Sequence, residues 1–308
     1  MSCYLGIDTS NYTTSAALLG EGGLRQQRRL LEVPLGGRGL RQSEAVFQHV
    51  KALPGLLERL TGVDTVMAVG ASVRPRDEEG SYMPCFCAGE CAARAVAAAR
   101  TATFYAFSHQ AGHIAAALYS VGRLELLHER FIAFHVSGGT TEAVLVSPSP
   151  ETVIETQVVA SSLDLKAGQA IDRTGVMLGL RFPCGPLLEE LAAKSEKRFK
   201  SVIPFRGMDF SLSGIENHCR AMFERGEPHE DIAAFCIASV QSALRKSACM
   251  LLERYPGLQI VFAGGVTANA AIRCALQEEF GALFARPELS GDNAAGIAVL
   301  TKIKVEGI

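Results

Sequence analysis

A chain of 308 residues has room for two domains of about 150 residues each. With 48% apolar residues, 20% charged residues and a net charge of −2, it is a globular composition that excludes a generally basic nucleic-acid binder; RNA would have to meet a local patch or another subunit. The longest apolar runs, such as residues 92–98, fall short of the ~20 residues needed to cross a bilayer, and nine scattered cysteines without a secretory leader read as reduced thiols of a cytoplasmic protein.

The chain opens with an apolar strand from Tyr4, a polar turn through Asp8, Ser10, Asn11 and Thr13, and a second strand ending at Gly20, which is the pattern of a β-hairpin. Residues 43–60 carry Glu44, Phe47, Val50, Leu53 and Leu57 near helical spacing. Residues 89–102 form an Ala-rich helix and residues 109–121 another. The hairpin pattern then returns: Phe131 to Val136, the turn Ser137-Gly138-Gly139-Thr140-Thr141, and Glu142 to Val146. Two such hairpins about 130 residues apart suggest an internal duplication. Gly185-Pro186 begins a helix through Lys194, and residues 228–255 read as one long helix stopped by Pro256-Gly257. A buried strand over 258–263 runs into Gly264-Gly265-Val266-Thr267-Ala268-Asn269 and a helix from Ala270; Gly291-Asp292-Asn293 leads into the last helix. Alternating strands and helices in both halves predict mixed α/β lobes.

Four constellations could carry chemistry. The Ser137–Thr141 turn can offer successive backbone N–H groups and hydroxyls to a phosphate, although a tight hairpin also needs glycine. The Gly264–Asn269 turn precedes a helix N-terminus where a nucleotide could sit; an ordinary strand-to-helix turn has the same form. In His109-Gln110-Ala111-Gly112-His113 the i, i+4 spacing puts both imidazoles on one helical face, where they can share a metal or simply meet solvent. A third, oxygen ligand is then needed; Asp292 is a candidate whose ordinary alternative is a helix cap. Cys85, Cys87 and Cys91 could bind zinc, but without a fourth paired ligand they read as small buried core thiols. The charged loop Arg74 to Tyr82 is either solvated or a flap over a site.

Together these segments resemble the TsaD family of tRNA threonylcarbamoyladenosine transferases, once called glycoproteases, over nearly the whole chain and in the family's order. Gly6-Ile7-Asp8-Thr9-Ser10 is similar to its opening hairpin, His109 to His113 to its metal helix, and Val136-Ser137-Gly138-Gly139 to its phosphate loop. Ala167 to Arg173, Phe182-Pro183-Cys184-Gly185-Pro186, Asp209 to Gly214 and Ala263 to Asn269 are similar to further family motifs. The resemblance implies an actin-like (ASKHA) duplicated two-lobe α/β fold with an interlobe nucleotide cleft. The expected lobes are 1–128, completed by the C-terminal helix 293–308, and 129–292. It implies one iron or zinc ion on His109, His113 and Asp292, and an adenine nucleotide on Ser137, Gly138, Gly139, Thr140, Asp172, Gly185 and Asn269. The implied reaction moves a threonylcarbamoyl group from its AMP adduct to N6 of a tRNA adenosine beside the anticodon. The implied partners are tRNA, a TsaB-like paralogue, a small ATPase and the threonylcarbamoyl-AMP synthase.

The departures from the family lie on the acidic side of the site. Tyr12 and Thr13 stand where the family has an Asp-Glu pair, Gln169 stands for a Glu, and Leu165-Lys166 occupy an acidic or small position. Val73-Arg74-Pro75-Arg76-Asp77 replaces a Gly-Pro-Gly-Leu loop. No residue presents itself as a general base. The pattern suits a transferase that works by positioning, a divergent paralogue that binds nucleotide and metal as a regulatory subunit, or a carbamoyl transferase with another acceptor.

Overall fold

The computed structural model describes residues 2–10, 12–33, 40–60, 65–291 and 294–307; Asn11, Asp292 and Asn293 lie outside the described residues. By its internal contacts the chain forms two units. The first comprises Met1–Glu129, Val146–Gln157 and Glu288–Ile308, the second Arg130–Leu145 and Val158–Pro287.

In the first unit, β1 (Cys3–Ser10) pairs antiparallel with β2 (Thr13–Gly20), Cys3 opposite Gly20 and Ser10 opposite Thr13. β3 (Gly23–Leu30) adds a half-exposed edge to β2. After α1 (Gln42–Arg59), β4 (Val66–Arg74) runs parallel to β1; after α2 (Phe86–Arg100), β5 (Thr103–Ser108) runs parallel to β4 and leads directly into α3 (His109–Val121). The sheet order is β3-β2-β1-β4-β5. β1 and β2 are buried along almost their whole length, so both faces must be apolar or internally bonded, and Leu5, Ile7, Leu18 and Val69 form the centre of this core.

The second sheet repeats the plan. β6 (Phe131–Val136), β7 (Thr141–Ser149) and β8 (Val153–Ser161) are followed by α4 (Ala167–Met177), α5 (Gly185–Ala192), the short pair β9 (Phe205–Arg206) and β10 (Asp209–Phe210), α6 (Ser213–Glu224) and α7 (His229–Arg254). Then come β11 (Ile260–Ala263), α8 (Ala270–Phe280), β12 (Leu283–Phe284), α9 (Pro287–Ser290) and α10 (Ala295–Glu306). The order β8-β7-β6-β11-β12 is that of the first sheet strand for strand, with β11 parallel to both β6 and β12. This recurrence is the duplicated α/β plan of actin-like proteins. Phe134, Phe262 and Phe284 stack at centroid distances of 4.6 and 5.0 Å in the core of the second unit. Each such ring contributes roughly 1.5–3 kcal/mol by burial.

One sequence expectation is borne out in position and one, that of the three thiols, is corrected. The helix over 43–60 exists, but its buried face is Ala45, His49, Ala52, Leu53 and Leu56, leaving Phe47 and Val50 more than half exposed. The larger apolar residues lie to one side of the line along which small side chains admit the sheet. The three thiols are not all core: Cys85 is buried beside Leu31, Ala45 and Phe86, whereas Cys87 and Cys91 are exposed. α2 starts at Phe86, so Cys87 and Cys91 share a solvent-facing helical row.

No helix among the described residues is long and apolar enough to cross a membrane.

Candidate functional site

In the second unit a cavity of about 340 Å³ is lined by Gly138, Gly168, Ile171, Asp172, Pro183, Gly185, Glu189, Ile237, Gly265, Val266 and Asn269, with Pro186 and Ala268. The β6–β7 turn forms one wall. Ser137 N donates to Thr140 O at 2.7 Å, and the amides of Gly139 and Thr140 point at Ser137 Oγ, 3.3 and 3.1 Å away. The Ser137 hydroxyl thus gathers the amides of a tight turn whose glycine backbone borders the cavity. Gly168, at the first turn of α4, packs against that loop: a Cβ on Gly168 would lie 2.6 Å from Gly138 N. Glycine is therefore required at 168 by close approach. The opposite holds at Gly138, Gly185 and Gly265, where a Cβ would meet no protein atom within 4 Å. These three glycines expose backbone to the cavity without any packing reason for it.

Most of the polar groups of the cavity also hold its walls. Asp172 Oδ1 accepts from Cys184 N at 2.8 Å, fixing the turn into α5. Asn269 Oδ1 accepts from Ile272 N at 3.0 Å and caps α8, which leaves its amide N–H₂ as the donor end. Glu189 Oε1 accepts from Ala270 N at 2.6 Å and ties α5 to the same helix start. Glu189 was not singled out in the sequence, because its partner is distant in the chain and a Glu in a helix carries no signal of its own. Gln169 Oε1 accepts from Lys166 N at 3.2 Å, reaching back to the amide just before α4, so a Gln retains the helix-starting contact that a Glu would make there.

The Asp209–Gly214 motif is scaffolding for this wall. Asp209 accepts from Ser161 N at 2.7 Å, while Asp164 accepts from Leu212 N, Ser213 N and Ser213 Oγ. Burial raises the Asp164 carboxyl, but the Ser213 hydroxyl and the backbone amides outweigh it and hold it below the usual range.

The first unit holds the histidine pair. α3 starts with Ser108 capping Ala111 N, and both imidazoles face the same side: His113 Nε2 lies 3.0 Å from His109 Nε2, with ring centroids 4.4 Å apart. His109 Nδ1 is 2.8 Å from Asp8 Oδ1, and Ser72 Oγ donates to the same oxygen. An ionised carboxylate only accepts, so His109 Nδ1 carries its proton and Nε2 presents its lone pair toward His113. One ion with bonds of about 2.1 Å to each nitrogen can bridge such a separation, and the carboxylate behind the ring is the usual outer support of a metal histidine. Asp292 lies outside the described residues. Among the described residues, no group of three or more His, Cys, Asp or Glu side chains is placed to share one ion. The nearby Cys85 thiol is pushed up to about 11 by burial and by the Asp8 carboxylate, so it stays protonated.

The Arg74–Tyr82 loop is fastened to the start of α3. Arg74 pairs with Asp77 at 3.1 Å, Asp77 Oδ2 accepts from Thr156 Oγ1 at 3.0 Å, Thr156 reaches Gln110 Oε1 at 2.7 Å, and Gln110 N donates to Pro75 O. In the first hairpin, Thr13 is buried in the β1–β2 ladder, while Tyr12 is 37% exposed and its carbonyl accepts from Leu31 N.

Comparison with known proteins adds a separate line. A family model described as TsaD, tRNA N6-adenosine threonylcarbamoyltransferase, matches residues 80–299. The protein of that name from Chlorobium chlorochromatii (strain CaD3) is 28% identical, with 98% of this chain and 92% of the relative covered. That from Brucella anthropi is 32% identical, with 96% and 88% covered. Among solved structures, full-length HypF in its phosphate- and nucleotide-bound form superposes with a TM-score of 0.62 at 13% identity, over 99% of this chain and 55% of HypF. Component A of Acidaminococcus fermentans (R)-2-hydroxyglutaryl-CoA dehydratase does so with 0.58 at 17% identity, over 99% and 100%. At such identities the two structures speak for the fold alone.

Proposed function

The chain belongs to the TsaD family of tRNA N6-adenosine threonylcarbamoyltransferases, and from this we propose that it binds threonylcarbamoyl-AMP and transfers the threonylcarbamoyl group to N6 of a tRNA adenosine beside the anticodon. In that reaction N6 attacks the carbamoyl carbonyl, the bond to the AMP phosphate oxygen breaks, and AMP leaves as the N6 proton is lost. The observation that carries the nucleotide part is the set of open glycines, Gly138, Gly185 and Gly265, around one cavity that also contains Asp172 and Asn269. The phosphate is assigned to Ser137, Gly138, Gly139 and Thr140, the ribose to Asp172, and the base to the Gly185 turn and the Asn269 amide. Rigid walls that hold the donor in a reactive pose supply the rate without a committed general base.

His109 and His113, with Asp292 as the third ligand, would hold an iron or zinc ion, both of which accept imidazole and carboxylate. Such an ion, when bound, supplies a Lewis acid for a carbonyl or phosphate oxygen. Asp8 and Ser72 keep the His109 ring in the required tautomer and orientation. A TsaB-like paralogue, a small ATPase and the synthase that makes the adduct are the proposed protein partners, and the cytoplasm the proposed compartment.

A second reading is favoured by Tyr12 and Thr13, which leave the first turn without the family's carboxylates. In it, the chain is a divergent member that keeps nucleotide and metal binding and acts as a regulatory subunit or on another acceptor.

Calorimetry and reconstitution test the two parts separately. Gly138→Ala puts a methyl into the cavity without touching protein, so it should weaken AMP binding by roughly tenfold or more, about 1.4 kcal/mol, while unfolding stays within about 0.5 kcal/mol of the unaltered chain. Unchanged AMP affinity sinks the assignment of the cavity. Incubation with synthase, tRNA and the proposed partners, followed by nucleoside analysis, tests transfer.

A further inference from the structure

Charge in the second unit is distributed unevenly. Between Lys194 and Arg206 there are five cations, Lys194, Lys197, Arg198, Lys200 and Arg206, against one acid, Glu196, in a chain whose net charge is −2. All five are exposed. Residues 195–204 have no regular structure, yet the segment is pinned at intervals. Ser195 Oγ donates to Asp231 at 2.6 Å, Phe199 packs edge-on against Phe235 at 5.7 Å, Ile203 is buried, and Phe205 lies under Lys246 Nζ at 4.3 Å. These anchors turn one side of the strap to α7 and leave the cationic side chains facing solvent.

Their clustering sets them apart: other cations of the same unit are scattered, and several are paired. Arg173, Arg220, Arg225 and Arg245 each form an ion pair with a neighbouring glutamate. Of the strap cations only Lys197 does so, with Asp231 at 2.7 Å; Lys194, Arg198, Lys200 and Arg206 form no ion pair with a described residue. Clustered cations without internal partners repel one another and attract polyanions. The strap follows α5, whose first residues line the cavity and whose eight residues span about 12 Å. The strap therefore begins about a helix length from the cavity wall that the start of α5 forms.

We propose that the strap from Lys194 to Arg206 is a contact surface for the phosphate backbone of RNA. The inference rests on the tRNA reading above and adds the place where the acceptor is held. Phosphate contacts of this kind fix position without reading sequence, which suits an enzyme that acts at one adenosine presented by the shape of its RNA.

The test is binding of an unmodified tRNA transcript to the full chain between about 50 and 200 mM salt. The quadruple variant Lys194→Gln, Arg198→Gln, Lys200→Gln, Arg206→Gln should bind roughly tenfold or more weakly and lower the slope of log affinity against log salt by about 3. Its AMP binding and thermal unfolding should match those of the unaltered chain. Arg225→Gln with Arg245→Gln, which removes cations already paired with glutamates, should leave the slope in place. Equal affinity and slope in the quadruple variant overturn the strap while leaving the transferase reading intact, as does an equal loss in the paired-cation control. No tRNA binding by the unaltered chain overturns both.

Discussion

His49 is fully buried in α1, with Nδ1 2.8 Å from Thr14 Oγ1 and Nε2 without a hydrogen-bond partner among the described residues. Burial lowers its pKa to about 4, against a smaller upward pull from the Asp8 carboxylate. The folded first unit therefore holds His49 neutral, while the unfolded chain takes up a proton near pH 6.5. This stability is fully present above about pH 6.5 and is lost as the pH falls toward 4, because the unfolded state binds the proton first. Between pH 7.5 and 4.5 the loss from this one group should be on the order of 2–3 kcal/mol. Urea unfolding at the two pH values should show it, and His49→Gln should flatten the difference; an equally steep loss in the variant would assign the acid sensitivity elsewhere. The histidine pair was legible in the sequence because i, i+4 is a local relation. The supporting Asp8 is 101 positions from His109 and became visible only when β1 and β5 were laid in one sheet.

At the scale of elements, α3 runs over the residues its pattern predicts, and α10 explains why it sits where it does. α10 packs on β1 and α3, and a Cβ on Gly296 would run into the carbonyl oxygen of Gly112, the residue before His113. Close contact of two backbones permits nothing larger than glycine there. Gly296→Ala should destabilise the first unit by about 3 kcal/mol, at or beyond the upper end for overpacking, since the obstacle is backbone rather than a movable side chain. Denaturant unfolding measures this, and a change below about 0.5 kcal/mol would show that α10 can shift at little cost. Strands were harder to read than helices. β3 is Gly-Leu-Arg-Gln-Gln-Arg-Arg-Leu, almost wholly polar, because a half-exposed edge needs no apolar face and charged side chains discourage further pairing. α1 lies where its spacing predicts, and its buried face is set by the packing of Ala45, Ala52 and Leu56 rather than by the more hydrophobic Phe47 and Val50.

At the scale of the whole molecule, two hairpins about 130 residues apart gave away the duplication, and the shared strand order makes it concrete. The same repeat places the first turn, with Tyr12 and Thr13, at the position in its sheet that the Ser137–Thr140 turn holds in the other. One turn carries hydroxyls and glycines; the other carries a phenol and a hydroxyl where the family resemblance expects carboxylates. Under the reading of a divergent member proposed above, less negative charge in this turn favours anionic phosphate and removes charge that could assist proton transfer, so nucleotide binding should persist while tRNA modification is slow or absent without partner proteins. The two positions are not equivalent for repair. Tyr12 is 37% exposed at a turn, so Tyr12→Asp should change stability by less than about 0.5 kcal/mol. Thr13 is 4% exposed and opposite Ser10 in the ladder, so Thr13→Glu buries a carboxylate and should cost roughly 1–3 kcal/mol. Modification by Tyr12→Asp alone, and then by Tyr12→Asp with Thr13→Glu at a temperature where both remain folded, should rise above that of the unaltered chain. Robust modification by the unaltered chain would instead show that this family chemistry proceeds by positioning without the acidic turn.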